Sequence, residues 1–171
     1  VKFLRPTHPS ISTSMARRFG WAPRGERCRA SIPFGHWKTT TFVAGLRVDR
    51  IDAPMTIEGA LDGEAFLAYV EQVLAPTLSK GETVVMDNVP LHKVAGVSEA
   101  ITAKGASVLY LPAYSPDFDP IEKFFSKFKS ILQRIAARTA GALEAAVAEA
   151  LRTVTPDECR NYFAACGYDA F

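Results

Sequence analysis

The chain has 171 residues, 48% of them hydrophobic and 22% charged, a balance that suits one globular domain with a substantial core. No apolar run approaches the roughly 18 residues of a membrane helix. The opening VKFLRPTHPS has no apolar stretch of the signal-peptide kind, and Cys28, Cys159 and Cys166 are too few and too scattered for a disulfide framework, so a leaderless cytoplasmic protein is expected. The net charge of +2 hides an asymmetry. Residues 1–50 carry ten Lys and Arg against Glu26 and Asp49, whereas the remainder carries ten basic and sixteen acidic residues. A basic end on a near-neutral protein suits a polyanionic partner, although a solubilising surface would look the same.

In chain order, VKFL (1–4) reads as a short strand and residues 5–25, rich in Pro, Ser, Gly and Arg, as a loop. RCRASIP (27–33) and TTTFVAGLRV (39–48) are β-branched and partly alternating, which predicts two strands, with PMTIEG (54–59) a third. From Asp62 the period changes. Phe66, Leu67, Tyr69, Val70, Val73 and Leu74 recur at helical spacing, with Asp62 as N-cap and Pro76 setting the end. TVVMD (83–87) reads as a buried central strand, 93–104 as a helix closed by Gly105, and ASVLYLP (106–112) as a second buried strand. A long helix is predicted from Pro120, burying Ile121, Phe124, Phe125, Phe128, Leu132 and Ile135. Helices over 139–152 and from Thr155-Pro156 follow it. Early antiparallel strands followed by alternating helix and strand predict an α/β sheet of mixed direction.

Four features could carry chemistry. Asp87 closes an apolar strand, where α/β sheets place their ligands, so it could hold a metal; a strand-end Asp can equally cap a turn. Glu122 opens the long helix. It could be a second metal-binding carboxylate, or the reciprocal partner of Asp119 in a capping box. His92, five residues after Asp87, could reach substrate or a metal-bound water, or be a loop residue without a role, and Lys93 beside it could meet a phosphate or solvent. LPAYSPDFDPIE is a stiff connector whose aromatics could stack on a base. Trp21 and Trp37 could do the same, though core packing is the commoner fate of Trp.

Taken together, DNVPLHK and LPAYSPDFDPIEKFFSKFK resemble the catalytic domain of bacterial insertion-sequence transposases of the mariner superfamily, DDE endonucleases. Thirty-four residues separate Asp87 from Glu122, a spacing typical of that group. GWAPRGER (20–27), HWKTTTF (36–42), GEAFLAYVEQVLAPTL (63–78) and ECRNYFAACGY (158–168) extend the likeness over nearly the whole chain. The resemblance implies a ribonuclease-H-like fold over residues 1–171 and a two-metal mechanism with Mg²⁺, or Mn²⁺ in its place. It implies Asp87 and Glu122 as the second and third carboxylates, projecting into one site, with Asn88, His92 and Lys93 in support. Implied partners are DNA (transposon ends and target), a second copy, and a separately encoded helix-turn-helix half, since the chain has no room for that region. DNA contacts would fall to Arg17, Arg18, Arg24, Lys38, Lys123 and Lys127.

The chain departs from the family's pattern at two places. Arg5 stands where the first carboxylate is usual, with Asp49 and Asp52 as candidate substitutes, and Asp119 stands where Asn is common. Three readings follow: a transposase catalytic domain, active or formerly active; a decayed nuclease fold that only binds nucleic acid or a partner; or an unrelated α/β domain in which Asp87 and Glu122 merely cap.

Overall fold

The computed structural model describes residues 2–4, 10–15, 20–29, 39–113 and 115–168. Its centre is a six-stranded sheet. Strands β1 (Lys2–Leu4) and β2 (Ser10–Ser12) both lie antiparallel along one side of β3 (Thr39–Leu46), while β4 (Ile51–Glu58) pairs antiparallel with its other side. Beyond β1 come β5 (Thr83–Met86) and β6 (Ser107–Tyr110), both parallel to it. The mixed sheet, with β1, β2 and β4 antiparallel to β3 and the later strands parallel to β1, is the ribonuclease-H-like arrangement that the motifs imply.

Strand alternation divides the interior in two. Phe42, Ala44, Leu46 and Val85 face one core, and Val43, Val84 and Met86 face the other, as a two-residue period requires. The first core is closed by α3 (Pro120–Ile135), α4 (Ala140–Arg152) and α5 (Pro156–Ala164), the second by α1 (Gly63–Tyr69) and α2 (Val97–Thr102). Helix α3 buries Ile121, Phe124, Phe125, Phe128, Ile131 and Leu132, and Ile135 is only partly covered. Side-chain caps start three helices: Asp62 accepts from the Ala65 N–H, Thr139 from Ala142, and Thr155 with Glu158 forms a capping box. All three cysteines are free, Cys159 and Cys166 as buried packing residues.

Several elements differ from expectation. Ser10–Ser12, read as loop, forms a strand. Residues 27–29, read as the start of one, do not, and 30–33 lie outside the described residues. The helix from Asp62 widens into a π turn at Val70–Leu74 and tightens to a 3₁₀ turn at Ala75–Thr77. Pro76 cannot donate a backbone hydrogen bond, and its ring crowds the carbonyl four residues back. The helix predicted over 93–104 is two pieces, a 3₁₀ turn at Pro90–Lys93 and then α2. Gly96 separates them at φ 94°, and a side chain there would also press on Leu67.

One ion network closes the end of the sheet remote from the strand termini discussed below. Arg47 donates through Nε to Asp52 at 2.6 Å, through Nη2 to the Thr77 carbonyl at 2.8 Å, and through Nη1 and Nη2 to Glu82. The guanidinium holds the Glu82 carboxyl down at about 2. A lowered carboxylate pKa stabilises the fold at pH values above its ordinary range, and this contribution is lost as pH falls from 4.5 through about 2. Discounted for partial solvent screening, Glu82→Gln is expected to cost about 2 kcal/mol at neutral pH. It should also flatten the acid limb of stability over that window. Urea titrations of both proteins at pH 7 and pH 2.5 check this, and an unchanged difference between the two pH values would count against it.

Candidate active site

Three parallel strands end level with one another. Leu4 of β1 is opposite Met86 of β5, which is opposite Tyr110 of β6, and the Leu111 N–H extends the ladder to the Met86 carbonyl at 2.7 Å. Asp87 is the first residue past β5. It opens a cleft of about 480 Å³ whose walls are Asp87 to Pro90 on one side and Leu111 to Ala113, Ser115, Pro116 and Asp119 on the other. This is the position beyond the carboxyl ends of parallel strands where α/β sheets bind ligands. The far wall is stiffened by Pro112, Pro116 and Pro120, and Tyr168 near the end of the chain donates to the Phe118 carbonyl at 2.8 Å.

Asp87 is mostly covered, with 17% of its side chain exposed. Behind it lies His92, fully buried, its ring 5.2 Å from that of Phe66. Imidazole Nδ1 is 3.0 Å from the Asp87 main-chain oxygen and 2.7 Å from its Oδ1. The hydrogen bond proper goes to the main-chain oxygen; the closer carboxylate oxygen lies off the N–H direction. His92 therefore does not reach into the cleft, as a substrate-contacting imidazole would have to, nor is it an idle loop residue. The 3₁₀ turn at Pro90–Lys93 carries it inward, and the Tyr110 hydroxyl donates to its main-chain oxygen at 3.0 Å. Burial pushes the Tyr110 phenol up, favouring the protonated donor. Lys93 is exposed, its ammonium 5.6 Å from the centre of the Tyr110 ring, and Asn88 is exposed on the cleft wall.

Asp119 departs from expectation. It occupies the N-cap position of α3 but its side chain does not cap; its carbonyl accepts from the Glu122 N–H at 3.2 Å, so the capping box, one of the two readings of Glu122, is not formed. The Asp119 side chain is buried, 3% exposed, on the cleft wall instead. Read from sequence as a cap, it was missed as a cleft residue. The three prolines around it were the available signal that this connector holds a fixed shape. Glu122 lies in the first turn of α3, half-buried, and is not itself part of the cleft wall.

Asp49 and Asp52 cannot substitute for a missing first carboxylate. Both sit at the β3–β4 turn, where Asp49 pairs with Arg50 and Asp52 with Arg47. Arg47 also holds Glu82, which precedes β5, while Asp87 follows it. Five residue steps of extended chain separate these two, roughly 16 Å. Arg5, like Arg17, Arg18, Lys38, Trp37 and Tyr114, lies outside the described residues. Arg24 and Lys123 are exposed, whereas Lys127 is held by Glu158 and by the Thr153 carbonyl, so its charge is already matched. Trp21 is fully exposed, against the commoner fate of Trp in a core.

Asp87, Asn88, Ser115 and Asp119 present oxygen donors to one cleft, the right kind for a hard divalent cation. Their number falls short: among the described residues no three acidic, His or Cys side chains converge closely enough to hold an ion.

Comparison with known proteins extends the picture. No curated protein sequence matches the chain. Among solved structures it is similar to the Mos1 strand transfer complex, at 12% identity over 95% of this chain and 50% of that one, with a TM-score of 0.69. The catalytic domain of the Mos1 mariner transposase is similar at 14% identity over 74% and 68%, TM-score 0.65. The mariner Mos1 paired end complex with Mg follows at 12% identity over 97% and 51%, TM-score 0.67. At such identities the likeness establishes the fold, and the chain spans about half the length of the first of these relatives. The family model of the DDE superfamily endonuclease matches residues 9–144, which take in β3 to β6, the cleft and α3. With that match running over well more than half of its length, this chain belongs to the DDE superfamily of endonucleases.

Proposed function

We propose that this chain is the catalytic domain of a transposase of the mariner type found in bacterial insertion sequences. Its chemistry would be cleavage and joining of DNA strands with Mg²⁺, or Mn²⁺ in its place. The observation that carries the reading is Asp87, placed by β5 at the mouth of a cleft beside the level ends of β1 and β6, in a chain of the DDE family. Structures of the Mos1 paired end complex contain Mg or Mn, which supports the same metals here. Asp87 and Glu122 would hold the ions, which would supply the positive charge that cutting a phosphodiester requires. Asn88 borders the cleft and Lys93 is exposed over the Tyr110 ring, both as candidates for positioning a phosphate. With Arg5 at the first carboxylate's place in the sequence, the site is short of anionic oxygen, and the chain by itself would bind DNA more readily than cut it.

Titration with Mn²⁺ followed by electron paramagnetic resonance tests the metal assignment. Asp87→Asn and Glu122→Gln are each expected to weaken binding at least tenfold, since each removes one of two anionic ligands. If Glu122→Gln matches the unaltered chain, Glu122 is a helix-terminus residue and not a ligand.

The DNA partner is supported by the basic N-terminal portion and by Mos1 relatives solved as paired end and strand transfer complexes. Those assemblies also support pairing with a second copy, and a helix-turn-helix half encoded separately would complete end recognition. Binding by this chain alone should be weak, indifferent to sequence and steeply dependent on salt, because contacts from its basic N-terminal portion to phosphates would dominate. Arg24→Ala and Lys123→Ala should each reduce the salt dependence by about one unit of slope. Lys127→Ala should leave it unchanged while lowering the melting temperature, because its ammonium ties α3 to Glu158. Fluorescence anisotropy on unrelated duplexes at several salt concentrations measures this; tight binding to one sequence at physiological salt would contradict it.

A further inference from the structure

We infer that His92 is a positioning residue for Asp87, an imidazole built into the core to hold the strand-end carboxylate in place. The inference rests on the reading of Asp87 as a metal ligand and adds the group that orients it. Three observations carry it. The ring is fully buried and packs on Phe66 in the core that α1 and α2 close. Both polar contacts of its Nδ1 are with Asp87, to the main-chain oxygen at 3.0 Å and to Oδ1 at 2.7 Å. Its other nitrogen, Nε2, is buried with no hydrogen-bond partner among the described residues.

The tautomer follows from the neighbours. Both atoms facing Nδ1 are acceptors, so a single ring proton belongs on Nδ1 and the lone pair on Nε2. A buried ring nitrogen without a partner costs stability, and an apolar side chain of similar size against Phe66 would avoid that cost. What the histidine alone contributes is the Nδ1–H directed at Asp87. That donor fixes the main-chain oxygen where β5 ends, and with it the point from which the Asp87 side chain departs, while Oδ1 stays in close contact with the ring nitrogen at 2.7 Å. The turn itself is held from outside by the Tyr110 hydroxyl on the His92 carbonyl, so the imidazole is not free to follow a moving carboxylate. Groups behind a ligand that restrict its orientation typically change metal affinity by about 10- to 100-fold when removed.

The test compares His92→Phe, which keeps the ring packing and removes the donor, with His92→Asn, whose side-chain amide places an N–H near the Nδ1 position. Three readouts are taken on the whole chain: melting temperature, Mn²⁺ affinity by electron paramagnetic resonance, and the direction of the Asp87 carboxylate in crystal structures. His92→Phe is expected to melt at or above the temperature of the unaltered chain, to lose at least tenfold in Mn²⁺ affinity, and to show Asp87 rotated. His92→Asn should retain both affinity and orientation. Should the Phe variant fail to fold, His92→Leu takes its place. An Asp87 that stays in position with unchanged Mn²⁺ affinity in the donor-less variant overturns the inference. If Asp87→Asn binds Mn²⁺ as the unaltered chain does, the metal reading of Asp87 fails instead, and the carboxylate direction in the crystal structures still decides the part played by His92.

Discussion

Phe128→Ala is expected to remove about 3–5 kcal/mol of folding stability, a large share of what a domain of this size possesses. The ring is 1% exposed and stacks on Phe42 of β3 at 4.5 Å between centroids, with an interplanar angle of 23°. It also meets Phe124 at 5.4 Å, so it joins the helix to the sheet and to its own helix face. Truncation loses both the burial and the aromatic contacts, and helix-to-sheet packing relaxes only partly into the void. Urea unfolding followed by circular dichroism gives the value. A cost under about 1.5 kcal/mol would mean that α3 repacks freely on the sheet, a range typical of volume-conserving core changes. Phe128→Leu provides the comparison and should recover more than half of the loss. Because α3 also carries Glu122 in its first turn, the alanine variant should weaken the candidate metal site without touching a ligand.

How much of this was legible in the sequence depends on where the information lay. The α3 stripe from Ile121 to Leu132 was readable because a 3.6-residue period survives any partner it packs on. TVVMD was readable because a short apolar run between Gly81 and Asn88 fits only a strand buried on both faces, and Val84 and Val85 do face opposite cores. The start of the last helix at Thr155-Pro156 was readable because an N-cap followed by proline is a local signal. The same local logic failed at Asp119 and Glu122, whose spacing suits a capping box, because the buried cleft wall takes the Asp119 side chain away from the helix end. Ser10–Ser12 was illegible for a different reason. Its strand conformation comes from Thr39–Thr41, some thirty residues away, and nothing in the SIS triplet demands it. At the site, Asp87 was legible from its strand-end position. The burial of His92 was not, since a DNVPLHK loop gives no hint that the 3₁₀ turn at Pro90 rolls its histidine under the strand.

Catalysis should be close to absent in the chain as it stands, and Arg5→Asp should be the substitution that moves it most. Leu4 is level with Met86, and the residue after Leu4 in the sequence is Arg5, where the resemblance expects the first carboxylate. Two divalent ions need several anionic oxygens to offset their charge and their lost hydration, and Asp87 with Glu122 would offer only two carboxylates. A permanent cation in the first carboxylate's place would act against the ions as well: at about 5 Å and an effective dielectric near 20, each unit of ion charge would be disfavoured by about 3 kcal/mol. That figure is an upper range, since a guanidinium can turn to solvent or pair with a carboxylate. Exchanging the cation for a carboxylate removes the repulsion and adds a ligand, so Mn²⁺ affinity is expected to rise by at least 100-fold, the equivalent of about 2.7 kcal/mol. The measurement is strand cleavage of a labelled duplex with Mg²⁺ or Mn²⁺, run beside metal titration, on the unaltered chain, Arg5→Asp, and Arg5→Asp with Asp87→Ala. Cleavage in the second and none in the first and third is the expected pattern. Efficient cleavage by the unaltered chain, abolished by Asp87→Ala, would mean that another acid completes the site. Asp49 and Asp52, committed to Arg50 and Arg47 at the opposite end of the sheet, are not available for that part. Restored metal binding without cleavage would place the remaining defect outside the metal ligands.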